Sequence, residues 1–593
     1  MSAHYQFLAI FLTLLFFSLV FVAYRRLFEE IDSVSSSVPP KAVGLYFRYD
    51  LLAAAALYLL CTVLFFFPTM GAISTSLIGP AEDNMWYSWN MWWGNKAVFE
   101  EEHQLIFSNY IFYPEGTSLV YNEFSWYNLI FSFVLSRFLT PVATYNLLIL
   151  STFFLSGLGA FLLIRYLVKN SFAALIGGYI FAFNPSHYAH SLHHMNISSI
   201  QFIPFFILFF IKAVKGHSKK DLFLSVVFFF LNAACSWTYL IYMSFFMVFA
   251  YFYLVIRRKK IILPDVIFKI TLIVLITAFI FSPWLFRMVL VGFAHPEITH
   301  GGHSLYLADL AGLVVPHSYH LLSGIEAIEK IDVKTIRASI DGNPWEAAVY
   351  LGVVNLLLMI FAFRRTIKLT ARYYAGLLIF LLLAMGTRVT ALGKGLPIAL
   401  PYYLIKYVPF LGNARAPSRS IVLVYLFIAI IVAFAIRHFF TLKWNNRNLR
   451  YGLAVISLLI FLDYYSICHV NTKVYKPACY DVIQKNPGSF GVLDLPSGYS
   501  DSERYMMYQT LHHIPIVQGA GISRKIGSSL QDRLYIDDMK RLRKQLTENN
   551  VKFIIVHTGL INPKTKNPVD LQDYRDAFNC IYEDDHQVVF EVF

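Results

Sequence analysis

Two adjacent carboxylates, Glu82 and Asp83, introduce a tryptophan-rich stretch that follows an early apolar segment. A carboxylate near a membrane surface can act as a general base on a hydroxyl, because the low dielectric there raises its pKa toward a useful value. The tryptophans, Trp89 among them, suit an interfacial anchor or a wall on which a sugar ring stacks. The alternative interpretation is a solvated loop at a helix end that carries ordinary membrane-belt tryptophans.

A histidine-rich segment spans 187–194 and includes His193 and His194. Spacings of three and four residues would put several imidazoles on one face of a helix, where they could hold a metal ion. No carboxylate pattern lies beside the segment in the sequence, so we favour a hydrogen-bonded polar loop. A divalent cation is the only cofactor left open, and no residue is assigned to it.

Arg415 and Arg419 flank Pro417 at the entrance to an apolar segment. Two guanidinium groups four residues apart at a membrane boundary suit a phosphate or pyrophosphate group, although contact with bulk lipid headgroups would produce the same pattern. Glu346 begins another apolar segment. Its carboxylate could simply match the dipole of the helix, or it could bind a substrate hydroxyl.

The composition indicates the elements that must position these residues. Hydrophobic residues make up 57% of the 593 and charged residues 14%, which is more apolar surface than a soluble domain needs. The apolar residues occur in blocks near the length that spans a bilayer, about 20 residues. We therefore predict a mainly α-helical, polytopic membrane protein with about twelve transmembrane helices, at 6–24, 49–68, 144–166, 171–186, 199–215, 222–237, 239–256, 266–290, 346–363, 373–387, 419–437 and 451–468.

Lys and Arg cluster in short loops between the apolar blocks, which is typical of the cytoplasmic side of a membrane protein. The formal charge of +13 therefore reports topology and does not indicate a nucleic-acid partner. If every basic cluster is cytoplasmic, the loops 69–125, 291–345 and 388–418 face outward. Loop 69–125 agrees with this assignment, since Lys96 is its only Lys or Arg against seven carboxylates.

The two ends of the sequence predict separate units. Residues 1–48 would form an extra N-terminal transmembrane helix and a cytoplasmic loop; the first 24 residues begin like a signal peptide but lack a basic n-region. Residues 470–593 alternate strand-like runs with a helical stretch, which predicts a soluble α/β domain on the outer side. Cys479 and Cys580 bracket this tail, and we predict a disulfide between them if the compartment is oxidising.

Several motifs follow one another in a recognisable order. They are a carboxylate followed by Trp89 and Trp92, the segment 109–116 around Tyr113, Phe181-Ala182-Phe183-Asn184-Pro185, the His-rich turn leading to 201–204, the segment 346–352, and Arg415-Ala416-Pro417-Ser418-Arg419. From about residue 45 to the end, this order resembles the YfhO-like bacterial multi-pass membrane proteins within the GT-C glycosyltransferase superfamily. The extra N-terminal span is a departure from that family.

The resemblance implies a GT-C-like transmembrane domain over 49–469 and a lipid-linked sugar donor, usually a polyprenyl-phosphate sugar. Such donors are used on the outer face, with inversion at the anomeric carbon. The family's acidic residue of the first outer loop maps onto Asp83, with Glu82 beside it, as the candidate catalytic pair. Arg415 and Arg419 would hold the lipid phosphate. The remaining candidates for the substrate site are Glu346, His193, His194, Trp89 and Tyr113.

We therefore predict a GT-C-type inverting glycosyltransferase of a bacterial inner membrane that transfers a sugar to a glycan or lipid acceptor. No sequon-binding motif is present, so peptide glycosylation is not favoured. Two alternatives stay open. One is a transporter or flippase of lipid-linked saccharides, which would prefer ionisable residues at mid-membrane depth, where the sequence has few. The other is a non-catalytic assembly subunit that presents the tail to partners.

Overall fold

The computed structural model describes residues 50–100, 104–216, 218–295, 306–336, 343–405, 416–442, 446–466, 471–497, 499–520, 529–561 and 568–593. The predicted first helix at 6–24, the rest of the segment 1–48 and Arg415 lie outside these residues.

The apolar segments fold as helices, and capping residues mark where several of them begin. Thr140, Asn170 and Ser218 each accept a hydrogen bond from a backbone N–H in the first turn of the helix that follows. In chain order the helices are α1 Asp50–Phe65, α2 Phe67–Met70, α3 Asp83–Phe99, α4 Trp126–Leu135, α5 Pro141–Val168, α6 Ser171–Ala182, α7 Pro185–Ser191, α8 Met195–Ser198, α9 Ile203–Lys215, α10 Lys219–Cys235, α11 Trp237–Arg258, α12 Pro264–Ala294, α13 Glu326–Ile336, α14 Val353–Ala384, α15 Tyr402–Ile405, α16 Ile421–Phe439 and α17 Asn446–Tyr464.

Five helices in the described ranges are long and apolar enough to cross a membrane. They are α5, α11, α12, α14 and the segment Pro417–Phe439, which contains α16. This composition supports a membrane protein. The predicted count of about twelve spans is not confirmed, because predicted spans such as 49–68 and 171–186 are shorter apolar helices.

Helix α14 turns back on itself near its middle. The hydroxyl of Tyr374 donates a hydrogen bond to the carbonyl of Met359, and the rings of Tyr374 and Phe363 lie 5.6 Å apart. In a straight helix, Met359 and Tyr374 would be separated by about 22 Å along the axis. The two segments predicted at 346–363 and 373–387 therefore correspond to two arms of one folded-back element.

Basic side chains collect at one end of the helix bundle. Arg437, near the end of α16, donates to the carbonyl of Val168, the last residue of α5. Arg165 pairs with Asp50 at the start of α1, with 2.9 Å between Nη2 and Oδ2. Arg419 precedes α16, so it lies about 27 Å from Arg437 along that helix. The candidate site at Arg419 is therefore at the opposite end of the bundle from this basic cluster.

The predicted outer loop 69–125 contains a helix of 17 residues, α3. Trp89 and Trp93 of this helix are fully buried, and their rings stack with 5.9 Å between centroids. For these two side chains the solvated-loop and membrane-belt interpretations are wrong, because α3 packs its tryptophan face against the C-terminal region. Short strands also occur here and elsewhere: β1 Ser76–Ile78, β2 Phe107–Ser108, β3 Thr117–Ser118, β4 Arg388–Ala391, β5 Lys394–Ala399 and β6 Asn471–Lys473.

The C-terminal region contains a four-stranded sheet with helices. Its elements are α18 Cys479–Ile483, β7 Gly491–Leu495, α19 Tyr499–His512, α20 Leu530–Arg533, α21 Met539–Glu548, β8 Val551–His557, α22 Gln572–Ala577, β9 Asn579–Glu583 and β10 Gln587–Glu591. The strand order is β7-β8-β10-β9, with β7 parallel to β8 and the other pairs antiparallel.

This region shares a hydrophobic core with α3. Trp89 and Trp93 belong to the same buried cluster as Val492 of β7 and Tyr505 of α19. Strand β6, where the region begins, also pairs with β1. The tail is therefore packed onto the segment that carries Glu82 and Asp83.

The two tail cysteines are free thiols. Cys479 is buried in the shared core, whereas Cys580 is exposed on β9 at the edge of the sheet. The predicted disulfide between them is wrong, because one side chain points into the core and the other lies at the surface.

Candidate active site

Asp83 is the first residue of α3, and Glu82 is its N-cap. A carboxylate at this position is stabilised by the positive end of the helix dipole. The side chain of Asn84 fixes the turn, because its Oδ1 accepts from the Glu82 N–H and its Nδ2 donates to the carbonyl of Ile78. Both carboxylates stay accessible: 41% of the Asp83 side chain and 43% of the Glu82 side chain are exposed.

Two histidines lie directly against these carboxylates. His194 Nε2 is 2.9 Å from Asp83 Oδ2, and His193 Nδ1 is 3.0 Å from Glu82 Oε2. Helix α7 places them: Asn184 caps it by accepting from the His187 N–H, and the helix ends at Ser191. No carboxylate lies beside these histidines in the sequence, but the fold brings both carboxylates from a segment more than a hundred residues earlier in the chain.

Beneath these pairs lies a buried ion pair between Glu346 and Arg419. Arg419 Nε and Nη2 donate to Glu346 Oε1 at 2.8 and 2.5 Å, and Ser418 Oγ donates to Oε2 at 3.0 Å. Only 1% of the Glu346 side chain is exposed. His190 Nε2 lies 3.8 Å from Glu346 Oε2. Glu346 was predicted to start a helix, but α14 begins at Val353, so the ion pair and not a helix dipole stabilises its charge.

Aromatic groups enclose His193. The ring of Trp345 stacks on its imidazole with 3.7 Å between centroids, and Tyr319 Oη lies 3.1 Å from its Nε2. Tyr319 has no motif around it, and the length of the loop 291–345 was the only signal of a role. The imidazole of His193 is therefore held on three sides, by a carboxylate, a phenol and an indole.

The surroundings keep the site carboxylates ionised. Burial opposes the charge of Asp83, but the hydrogen bond from His194 and the charges of His194, His193 and Arg419 outweigh burial and lower its pKa. The predicted rise of this pKa in a low dielectric is therefore wrong, because charged and hydrogen-bonding partners surround the carboxylate. Burial likewise opposes the charge of Glu346, and the Arg419 guanidinium with His190 lowers its pKa to about 2. Asp83 is therefore an ionised and accessible carboxylate near neutral pH, as a general base must be.

His190, His194 and Glu346 could together hold a cation. One donor atom from each lies within 4.8 Å of the others. Burial lowers the pKa of His190, which favours the neutral imidazole that binds metals. Two imidazole nitrogens with one carboxylate oxygen form a donor set that suits Zn²⁺ or a similar divalent ion. A small cavity borders the group, lined by Asn184, His187, His190, Tyr239 and Arg419, among others.

Two predicted substrate-binding residues, Trp89 and Tyr113, are not part of this cluster. Trp89 donates through Nε1 to Gln509 Oε1 at 2.7 Å in the shared core. Tyr113 packs against the tail, near Gly491 and Asn550. Arg415 lies outside the described residues. The placement of Trp89 and Tyr113 supports tail packing as their role.

The fold and the site define a mainly helical membrane protein with carboxylates, histidines and an arginine gathered at one end of its bundle. A comparison with protein families matches residues 48–464 to one family. The chain belongs to that family, which is described as "Domain of unknown function (DUF6311)". The matched range includes the whole cluster from Glu82 to Arg419 and excludes the C-terminal sheet. A comparison with curated proteins found no match.

Several solved structures are similar in overall fold. The oligosaccharyltransferase of Archaeoglobus fulgidus, tethered with an acceptor peptide, shares 12% identity over 87% of this chain and 70% of that one, with a TM-score of 0.48. The arabinofuranosyltransferase AftD from Mycobacteria shares 12% identity over 93% of this chain and 42% of that one, with a TM-score of 0.49. ArnT from Cupriavidus metallidurans in the apo state shares 10% identity over 92% of this chain and 97% of that one, with a TM-score of 0.47.

Proposed function

We propose that this chain is a membrane glycosyltransferase of the GT-C type. It transfers a sugar from a polyprenyl-phosphate-linked donor to a hydroxyl of a glycan or lipid acceptor, on the outer face of a bacterial inner membrane. The observation that carries the proposal is the ionised, half-exposed carboxylate of Asp83, held by His194 at the end of the bundle opposite the basic cluster. The order of the sequence motifs also supports the proposal. Within the GT-C superfamily, we assign the chain to the YfhO-like membrane proteins.

In this reaction Asp83 takes the proton of the acceptor hydroxyl while the acceptor oxygen attacks the anomeric carbon. The bond from that carbon to the donor phosphate breaks, and the polyprenyl phosphate leaves with the electron pair. One direct displacement inverts the anomeric configuration. His194 fixes the orientation of the Asp83 carboxylate. Because Asp83 is already ionised, it can accept the proton without a prior deprotonation step.

The leaving phosphate is assigned to the Arg419 side of the cluster. Nε and Nη2 of Arg419 already hold Glu346, so Nη1 is the nitrogen that would meet a phosphate oxygen. Because the site is rich in carboxylates, a bare phosphate would be repelled there. A divalent cation held by His190, His194 and Glu346 would supply the missing positive charge. Arg415, if it lies beside Arg419, would add a second guanidinium.

The basic cluster supports the proposed sidedness of the site. Arg165 and Arg437 lie at the end of the bundle that the positive-inside rule assigns to the cytoplasm. The site and the tail then face the outer side, where a donor flipped across the membrane would be available. The predicted outer location of residues 470–593 is part of this proposal.

The test is the Asp83→Asn variant, assayed as purified full-length protein with a panel of polyprenyl-phosphate-linked sugars and divalent cations. A general base contributes about 10²–10⁴-fold to a rate, so transfer should fall by that factor on any donor that the wild type uses. Asp585→Asn, an exposed aspartate of the tail, is the matched control and should keep full activity. Full transfer by Asp83→Asn would remove the proposed base, whereas a wild type that transfers no sugar from any donor of the panel would favour the transporter or assembly-subunit alternatives.

A further inference from the structure

Helix α19 of the tail lies alongside α3, the helix that begins with Asp83. The bond from Trp89 to Gln509 sets the alignment of the two helices. Asp83 lies six residues before Trp89, and Glu503 lies six residues before Gln509. Six helical residues rise by about 9 Å on each helix, so helices aligned in parallel bring the two carboxyl groups to the same level. Glu503 is buried, with 4% exposure, and its carboxyl group hydrogen-bonds that of Asp83.

A direct hydrogen bond between two carboxyl groups requires one proton between them, because two adjacent carboxylates repel each other and neither can donate. Burial raises the pKa of Glu503, and the charges of Asp83 and Glu82 raise it further. Asp83 is the more exposed of the two, with 41% of its side chain accessible, and it lies at the positive N-terminus of α3, which stabilises its negative charge. The proton therefore stays on Glu503, which is the donor, and Asp83 is the acceptor.

We propose that Glu503 is a positioning residue for the Asp83 base, so that the tail completes an active site whose other members all come from the family-matched region. As a neutral acid, Glu503 donates to one oxygen of Asp83 while His194 holds Oδ2 from the other side. The Asp83 carboxylate is then held by two partners, which restricts its rotation away from the acceptor hydroxyl. This inference rests on the proposed function, since it gives the tail a part in that same reaction.

Neighbouring charges set the pH range of this arrangement. Glu503 faces Asp83 and Glu82 from α3, and these in turn contact His194 and His193. On α19 itself the nearby charges are Asp501 and Arg504, of which Arg504 acts on Asp501. When pH rises and Glu503 ionises, the donor is lost and a second negative charge appears beside Asp83. Activity should therefore decline on the alkaline side as Glu503 titrates.

The experiment compares Glu503→Ala and Glu503→Gln in the full-length protein, on whichever polyprenyl-phosphate-linked sugar the wild type transfers. Glu503→Ala should lower kcat by about 10- to 100-fold with little change in KM, which is the rate equivalent of one lost charge-assisted hydrogen bond. Glu503→Gln keeps a neutral donor, so it should restore most of kcat and abolish the alkaline decline. Glu548→Gln, exposed on α21, is the matched control. Wild-type kcat and pH profile in Glu503→Ala would overturn the inference.

A second readout does not need turnover. In a pH-difference infrared spectrum, the wild type should show the C=O stretch of a neutral carboxylic acid that Glu503→Gln lacks and Glu548→Gln retains. A spectrum unchanged by Glu503→Gln would show that Glu503 is not a protonated donor to Asp83. This result would overturn the inference even if Glu503→Ala folds poorly. The outcomes also separate the two proposals. An active Asp83→Asn variant would contradict the glycosyl-transfer mechanism. An inactive Asp83→Asn variant with a fully active Glu503→Ala variant would contradict only the role of Glu503.

Discussion

Trp89 Nε1 donates a 2.7 Å hydrogen bond to Gln509 Oε1, which joins the helix that begins with Asp83 to the tail across 420 residues of sequence. The same Gln509 side chain donates through Nε2 to the carbonyls of Tyr110 and Ile514, at 2.6 and 2.9 Å. One fully buried amide therefore satisfies three polar groups inside an apolar core. We therefore expect the packing of the tail on α3 to depend on this residue.

The first prediction is that Gln509→Ala releases the tail. The change leaves the indole N–H of Trp89 and the carbonyl of Ile514 without this partner, at about 1–3 kcal/mol for each buried group, whereas the carbonyl of Tyr110 keeps the N–H of Ile516. We expect the free energy of unfolding to fall by about 2 kcal/mol or more, measured by thermal unfolding in detergent. The tail should also become sensitive to limited proteolysis. Gln572→Ala removes an exposed amide of α22 and should change stability by less than about 0.5 kcal/mol. Equal stability of the two variants would show that the amide does not hold the tail.

The second prediction concerns sidedness and uses the exposed thiol of Cys580. Cys61, Cys235 and Cys479 are buried, so Cys580 should be the main reactive thiol among the described residues. A membrane-impermeant maleimide added to spheroplasts with an intact inner membrane should label Cys580. In a Cys580→Ser background, Lys368→Cys, between the two arms of α14, should be labelled only after permeabilisation. Protection of Cys580 in intact spheroplasts would contradict the outer location of the tail.

Much of the helical framework could be predicted from apolar blocks. The predicted spans 222–237, 239–256 and 266–290 correspond to α10, α11 and α12 within a few residues, because lipid-facing and core-facing residues are both apolar. Helix α3 could not be predicted. Its tryptophan face is covered by α19, a partner about 400 residues away, and a sequence window shows no such contact.

The candidate site was predicted in composition but not in connectivity. Asp83, Glu82, His193 and His194 were all singled out, yet the pairing of each carboxylate with one histidine depends on how α7 packs near the start of α3. Arg419 was assigned to a phosphate alone, and its bond to Glu346 emerged only from the fold. Glu503 had no signal at all, since a lone glutamate on an amphipathic helix is normally a solvated residue.

The third prediction is that Glu346 and Arg419 are strongly coupled. Removal of either partner leaves a buried charge without its counter-ion, which costs about 3–5 kcal/mol. Glu346→Gln and Arg419→Gln should each lower the unfolding free energy by that amount. The double variant should be less destabilised than the sum of the two, since it carries no unpaired charge. Glu326→Gln with Lys330→Gln, an exposed pair on α13, should show almost no coupling. Additive effects at Glu346 and Arg419 would contradict the ion pair.

The last prediction is that His194 sets the acid limit of activity through Asp83. Asp83 acts as a base only when it is ionised, and the hydrogen bond and charge of His194 lower its pKa against the effect of burial. In wild type, activity should therefore persist until pH falls through that lowered pKa. In His194→Ala the pKa of Asp83 rises, so the acid limb of the kcat profile should move to higher pH. His194→Gln, which keeps a neutral donor, should give an intermediate shift, and His586→Ala, an exposed histidine of the tail, should give none. If His194 only supported the fold, its loss would lower kcat equally at every pH. An acid limb that does not shift in a stable His194→Ala protein would therefore contradict the prediction that His194 keeps Asp83 ionised.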